Sequence, residues 1–195
     1  MRFSEIETHL RKFRVGIAGA GGLGSNCAAA LARSGIGTLV ICDYDNVEHR
    51  NLNRQFYFMD QIGVPKTTAL KENILRINPE ISVITYDKKL DSTNIPEIYR
   101  DCDVIVEAFD QKEMKEMLIE VIQEKMPGIP LIIGSGLAGW GNTDDLRCRK
   151  IDDTLYVCGD ERTEVSDDLP PLAPRVGIVA CMEADAVIEI LMKKF

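Results

Sequence analysis

Val15-Gly16-Ile17-Ala18-Gly19-Ala20-Gly21-Gly22-Leu23-Gly24-Ser25 is the stretch that decides the fold. The first four residues read as a short buried strand. Gly19 to Gly24 satisfy G-x-G-x-x-G, and Leu23 to Ser34 continue as an alanine-rich helix that closes near Gly35 and Gly37. Glycines at these spacings permit a tight turn and let the backbone approach a phosphate. The helix start then offers unpaired N–H groups and the positive end of its dipole. Thr38 to Cys42 reads as a second strand, and Asp43 at its end lies 19 residues after Gly24. A carboxylate there accepts hydrogen bonds from ribose hydroxyls. The fingerprint alone does not choose among nucleotides, and on it an NAD-dependent oxidoreductase is the default expectation.

Strand and helix signals alternate outward from this unit. Ile6, Leu10 and Phe13 fall on one face, so residues 1–13 read as an N-terminal amphipathic helix. Further helices are expected over 66–77, near 96–100, and over 111–126 and 175–194. Further strands are expected over 81–86, 104–106 and 130–133, with a hairpin over 146–158. Residues 45–64 are polar with little periodicity, and a connection of that length in a compact domain is usually functional or disordered. Residues 159–174 are acidic and proline-rich and read as a mobile crossover loop. The expected class is α/β: a doubly wound, Rossmann-like, mostly parallel sheet with a C-terminal antiparallel extension and a final helix. Residues 1–195 read as a single domain.

The block Asn51-Leu52-Asn53-Arg54-Gln55-Phe56 moves the reading away from a dehydrogenase. Hydride transfer has no evident need for it, whereas nucleotidyl transfer does. Arginine and lysine neutralise charge on a triphosphate and on departing pyrophosphate, and amides orient oxygens without adding charge. Lys66 opens a helix after Gly63-Val64-Pro65. Asp110, after a parallel strand, is placed to hold Mg²⁺. The bland alternatives are solvated surface for Arg54 and Lys66, and a helix cap for Asp110.

Composition sets outer bounds. The net charge is −8, from 31 acidic and 23 basic residues, so nucleic acid is not an expected partner. No apolar run approaches a membrane span or a leader, and no C-x-x-C pair occurs among the six cysteines. Cytoplasmic location is the expectation. Cys27, Cys42 and Cys102 read as small buried hydrophobes, and His9 and His49 as solvated.

GAGGLGS (19–25), CDYDNVEHRNLNRQF (42–56), GVPKTTAL (63–70), RINP (76–79) and EAFDQ (107–111) together resemble the ThiF/MoeB-type adenylyltransferases, relatives of the ubiquitin-activating enzymes. The resemblance spans 14–133 and returns over 171–191, and the short chain looks closest to compact ThiF-like proteins acting on the sulfur carrier ThiS. It implies ATP and Mg²⁺ as cofactors. Gly19, Gly21, Gly22 and Gly24 would pack on the phosphates, and Asp43 would bind ribose with Asp45 beside it. Asn51, Arg54, Gln55 and Lys66 would contact the triphosphate, and Asp110 would bind Mg²⁺. The implied catalytic group is Arg54, Lys66 and Asp110. The implied partners are a ubiquitin-fold carrier ending in Gly-Gly and a second copy of the chain. The implied pathway is thiamine thiazole biosynthesis; a molybdopterin-pathway carrier or a modified tRNA nucleoside are alternative substrates.

Three departures accompany the resemblance. Cys148, Cys158 and Cys181 are isolated in sequence, so no structural zinc is expected. The family's arginine upstream of the glycine loop has no clear counterpart, with Arg2, Arg11 and Arg14 the only substitutes. Its Asp-Asn after the fourth strand is Asp110-Gln111. Cys158 is the one candidate for a covalent carrier link, against a plain strand-end cysteine, and Trp140 is either core or a docking anchor.

Overall fold

The computed structural model describes residues 2–194. The expected N-terminal helix and the expected domain limits include Met1 and Phe195, which lie outside the described residues. The elements run α1 (Phe3–Leu10), β1 (Arg14–Ala18), α2 (Gly22–Ser34), β2 (Thr38–Asp43), α3 (Lys66–Ile77), β3 (Ser82–Asp87), α4 (Ile95–Tyr99), β4 (Val104–Glu107), α5 (Lys112–Lys125), β5 (Leu131–Gly134), β6 (Arg147–Lys150), β7 (Leu155–Gly159) and α6 (Ala173–Met192). Short 3₁₀ turns sit at His49–Asn51, Met59–Gln61 and Thr143–Asp145.

The sheet has seven strands in the order β3-β2-β1-β4-β5-β7-β6. All pairings are parallel except β6 with β7. This is the α/β, doubly wound, mostly parallel arrangement that the strand–helix alternation predicts, with its antiparallel end and final helix. The chain winds outward from β1 in one direction and restarts at β4 in the other. The β1–β4 boundary is therefore the switch point where such sheets open a crevice. Register places the ends level: Ala18 pairs with Cys42 on one side and Glu107 on the other. The glycine turn, Asp43 and the Ala108–Asp110 segment therefore leave the sheet side by side.

Apolar layers cover both faces. One joins α2, α3 and α6 through Cys27, Ala28, Leu31, Leu70, Val179, Ala180 and Val187. The other packs α4 and α5 through Tyr99, Leu118, Val121 and Ile122. Small residues on α2 let it lie close against α6, and Gly35 in the left-handed region (φ +93°) ends α2. Among the described residues no helix is long and apolar enough to cross a membrane.

One residue departs from the sequence reading, and a second carries a buried carboxyl the sequence does not announce. His9 is buried, not solvated; its Nε2 donates to the Leu191 carbonyl at 3.0 Å, and its ring meets Phe13 edge-on at 4.9 Å. It pins α1 to the end of α6. Glu183, on the inner face of α6, is fully buried, and neither carboxyl oxygen has a hydrogen-bond partner among the described residues. Burial pushes its carboxyl well above the usual range, and the Glu107 charge adds to this while Lys115 opposes it.

Glu183 therefore holds its proton in the folded state at pH values where the unfolded chain has lost it. The unfolded state then binds fewer protons, so stability falls as pH rises above the ordinary glutamate value. Glu183→Gln, which cannot ionise, should be more stable than the parent by about 1–2 kcal/mol near pH 8 and nearly equal to it near pH 4. Urea unfolding at the two pH values measures this; an equal difference at both would show that Glu183 does not carry the effect.

Candidate functional site

The glycine turn is fixed from three sides. Gly19 N–H donates to the Cys42 carbonyl at 2.9 Å, Ala108 N–H donates to the Ala18 carbonyl at 2.9 Å, and Ala20 N–H donates to Asp43 Oδ2 at 2.6 Å. Gly19 adopts φ +101°, and a Cβ there would lie 2.8 Å from the Ala108 carbonyl oxygen. A Cβ on Gly24 would lie 1.9 Å from the Gly19 carbonyl oxygen. These two glycines are demanded by the protein's own packing. Gly21 is different: a Cβ there would meet nothing nearer than Gln55 Nε2 at 3.9 Å. Its lack of a side chain bares backbone at the start of α2, where N–H groups and the helix dipole favour an anion.

Asp43 sits at the end of β2 and faces this turn. Its Oδ1 accepts from Asp45 N–H at 2.8 Å while Oδ2 holds Ala20. Burial pushes the carboxyl up, and the Lys66 charge and the two N–H donors pull it back. Lys66, the first residue of α3, is buried, and its Nζ donates to Asp45 Oδ2 at 2.7 Å. Tyr57 closes the group from below: its hydroxyl donates to the Ala20 carbonyl at 2.7 Å.

The polar block after β2 is ordered by side chains reaching into it. Asn26 on α2 donates to the Arg54 carbonyl at 2.8 Å, and Ser25 Oγ accepts from Phe56 N–H at 3.0 Å. Asn73 on α3 donates to the Phe56 carbonyl at 2.9 Å, and Val47 and Val64 close the base of the segment. Asn51 is buried with Oδ1 accepting from Glu48 N–H at 2.9 Å, so its side chain caps its own turn. Gln55 is buried beside Gly21, and its Oε1 has no partner among the described residues. The Gln55 amide is thus left with one buried acceptor without a partner among these residues, while its Nε2 lies nearest the bare Gly21 backbone.

Arg54 lies over the start of α2, with Cγ 3.5 Å from a Cβ built on Gly22. Its Nη1 donates to Asn53 Oδ1 at 2.8 Å. Burial lowers the guanidinium, the Asp110 charge raises it, and the Arg50 charge lowers it further. Asp110 is exposed and accepts no hydrogen bond among the described residues. The cap of α5 is Gln111, not Asp110. The carboxylate is thus free for a cation, which suits Mg²⁺. Behind it, Glu107 is fully buried; its Oε1 accepts from Phe109 N–H at 2.7 Å and its Oε2 from Lys115 Nζ at 2.5 Å. Lys115 also donates to the Gly134 carbonyl, so one ammonium ties the ends of β4 and β5.

The structure brings together Gly19, Gly21, Gly22, Gly24, Asp43, Asp45, Asn51, Arg54, Gln55, Lys66 and Asp110 at one end of the sheet. Tyr57, Asn26, Ser25, Asn73, Glu107 and Lys115 support them without a local sequence signal. Other candidates lie elsewhere. Cys158 is on β7 with its side chain fully buried, and burial together with Glu183 pushes its thiol up. Arg14 begins β1 and Arg11 pairs with Glu7 and Glu80, both at the opposite end of the sheet. Trp140 is 69% exposed beside Gly139, which lies against Leu169 and whose N–H donates to the Pro170 carbonyl of the crossover segment at 3.0 Å. Arg175, buried at the start of α6, bonds Asp160 and the Gly141 carbonyl and so anchors that segment. Among the described residues no group of three or more His, Cys, Asp or Glu stands together as a metal site.

Comparison with known proteins agrees with this geometry. The ThiF family model matches residues 3–194. The adenylyltransferase and sulfurtransferase MOCS3 of Caenorhabditis briggsae is 31% identical over 96% of this chain, which spans 48% of that protein. The SAMP-activating enzyme E1 of Haloferax volcanii is 30% identical over 96% of this chain and 70% of its own length. The tRNA N6-threonylcarbamoyladenosine dehydratase TcdA of E. coli, solved with AMP, superposes with a TM-score of 0.87 at 21% identity, covering 97% of this chain and 90% of that one.

The glycines should separate by role. Gly24→Ala drives a methyl group into the Gly19 carbonyl and should cost more than about 3 kcal/mol or prevent folding. Gly21→Ala should cost less than about 1 kcal/mol, because the position has a negative φ and open space. Chemical denaturation of the two variants compares them, and similar losses would refute the distinction.

Proposed function

The chain belongs to the ThiF family, and from that premise we propose that it adenylylates the C-terminal carboxylate of a small ubiquitin-fold carrier protein, using ATP and releasing pyrophosphate. The carrying observation is the bare Gly21 backbone at the start of α2, flanked by Gln55 Nε2 and by Arg54 packed over Gly22, with the exposed Asp110 carboxylate leaving the neighbouring strand. A dehydrogenase has no use for a cation and a free carboxylate at that place.

In the proposed reaction the phosphates rest on the N–H groups at the start of α2, and Asp43 receives the ribose. Gln55, whose Nε2 lies nearest Gly21, donates to a phosphate oxygen. Lys66 and Arg54 hold the β- and γ-phosphates. Asp110 would hold Mg²⁺, which when bound offsets charge on the triphosphate. A carboxylate oxygen of the carrier attacks the α-phosphorus in line. The new O–P bond forms as the bond to the β-phosphate oxygen breaks, and pyrophosphate leaves with the electron pair. No general base is required, because a C-terminal carboxylate is already ionised at neutral pH. Positioning and charge stabilisation do the rest, with Arg54 moving with the departing pyrophosphate. The reaction uses no cysteine, so Cys158 has no part in it.

The finer reading takes the carrier as ThiS-like, ending in Gly-Gly, in thiamine thiazole biosynthesis, and the enzyme as a cytoplasmic homodimer. It is supported by the resemblance of residues 171–191, PLAPRVGIVACMEADAVIEIL, to the compact ThiF-like proteins. The relatives' names include other substrates, so a molybdopterin-pathway carrier and a modified tRNA nucleoside are the comparison arms of any assay.

Arg54→Ala and Asp110→Ala should each lower carrier-dependent exchange of labelled pyrophosphate into ATP by about 10²-fold or more. Both side chains lie on the surface of the crevice, so melting temperatures should be unchanged, and ATP but not NADH should raise the parent's. Parental exchange in either variant, or stabilisation by NADH alone, would refute the reading.

A further inference from the structure

Two of the six cysteines, far apart in character, face each other across the last hairpin. Cys148 on β6 pairs directly with Cys158 on β7. The bond from Ile151 N–H to the Leu155 carbonyl, 2.8 Å, sets the parity of this ladder. It makes 151 and 155 a hydrogen-bonded pair, so Arg149 and Val157 form the next one. Cys148 and Cys158 therefore occupy the non-hydrogen-bonded position between Arg149–Val157 and Arg147–Gly159. At that position opposed Cα atoms approach to about 4.5 Å and the side chains, on one face, are closest. That separation lies within the range of about 4.4–6.8 Å that a disulfide spans.

Their exposure differs in a useful way. Cys148 is exposed on a strand whose outer edge is unpaired, whereas Cys158 is buried beneath α6. An oxidant can reach the first and not the second. We propose that Cys148 and Cys158 form a redox modification site, in which a peroxide-class oxidant converts the two thiols into a reversible cross-strand disulfide. The Cys148 thiolate attacks a peroxide oxygen, breaking the O–O bond and giving a sulfenic acid; hydroxide leaves and takes up a proton. The Cys158 sulfur then attacks the sulfenic sulfur, losing its proton as water departs. Two thiols are oxidised by two electrons and one peroxide is reduced. Burial disfavours the Cys158 thiolate, which slows the second step. Proximity compensates, since the attacking sulfur is held beside its target.

The bond would form in the native register, so the sheet need not move. It would fasten the edge strand, whose only neighbour is β7. It would also stiffen the root of the crossover segment, because the Cys158 carbonyl accepts Ser135 N–H at 2.8 Å and Gly159 packs on the Ser135 carbonyl. The glycine turn lies three strands away, beyond β5 and β4, so nucleotide binding should be unaffected. This inference does not depend on the proposed reaction.

The test uses the Cys181→Ser protein, which leaves Cys148 as the only exposed thiol. Folded protein is treated with hydrogen peroxide, then denatured and alkylated, and the peptides are mapped by mass. The expected result is loss of two alkylatable thiols, a 148–158 linked peptide, and full recovery with dithiothreitol. Melting temperature should rise by about 4–8 °C on oxidation, with the ATP-induced shift unchanged. Adding Cys148→Ser should abolish both the link and the rise. An unchanged thiol count would overturn the proposal. So would Cys148 oxidised alone to sulfinic acid, or Cys148 linked only between chains.

Discussion

Everything at the candidate site depends on how closely the β1–α2 turn approaches the exit of β4. Gly19 rests on the Ala108 carbonyl and Gly24 on the Gly19 carbonyl, at distances that no side chain tolerates. This contact sits where the strand order reverses, so it sets the floor of the crevice. It also aligns three chemical elements from distant parts of the sequence: the bare N–H groups of α2, the Asp43 carboxylate and the Asp110 loop. The level register of Ala18, Cys42 and Glu107 makes that alignment a property of the sheet rather than of any loop.

The second constraint is the fastening of a polar segment that has no periodic structure of its own. Residues 45–64 are held by donors from α2 and α3 to backbone carbonyls, and by Tyr57 reaching the Ala20 carbonyl. Arg54 and Gln55 are thereby presented from an ordered backbone. Behind Asp110, the Glu107–Lys115–Gly134 chain does the same for the β4 exit. The site is held by hydrogen bonds made by side chains of α2, α3 and α5 and by Tyr57, each within the chain.

Much of this was legible in the sequence because its signals are local. The glycine spacing, Asp43 at a strand end and the polar block each announce themselves within a few residues. The doubly wound, mostly parallel class followed from the alternation of elements, whereas the order of the strands came only from the structure. What stayed hidden depends on contacts across the chain. His9 reads as one more polar residue on a charged helix until Leu191 is seen to accept from it. Glu183 carries no signal of its own in the sequence; α6 is covered by α2 and the sheet, and the carboxyl is enclosed. Asp110 looked equally like a helix cap, and only the backbone at Gln111 separates the readings. Cys148 and Cys158 are isolated in sequence but opposite in register, because the turn at 151–154 folds one strand back on the other.

The measurement that tests the account most directly is pyrophosphate exchange into ATP by the unmodified protein, with a carrier ending in Gly-Gly and with the same carrier lacking its last glycine. Exchange should appear only with the intact carrier. Exchange that ignores the carrier terminus, or tight ATP binding with no exchange for ThiS-type and molybdopterin-type carriers alike, would contradict it.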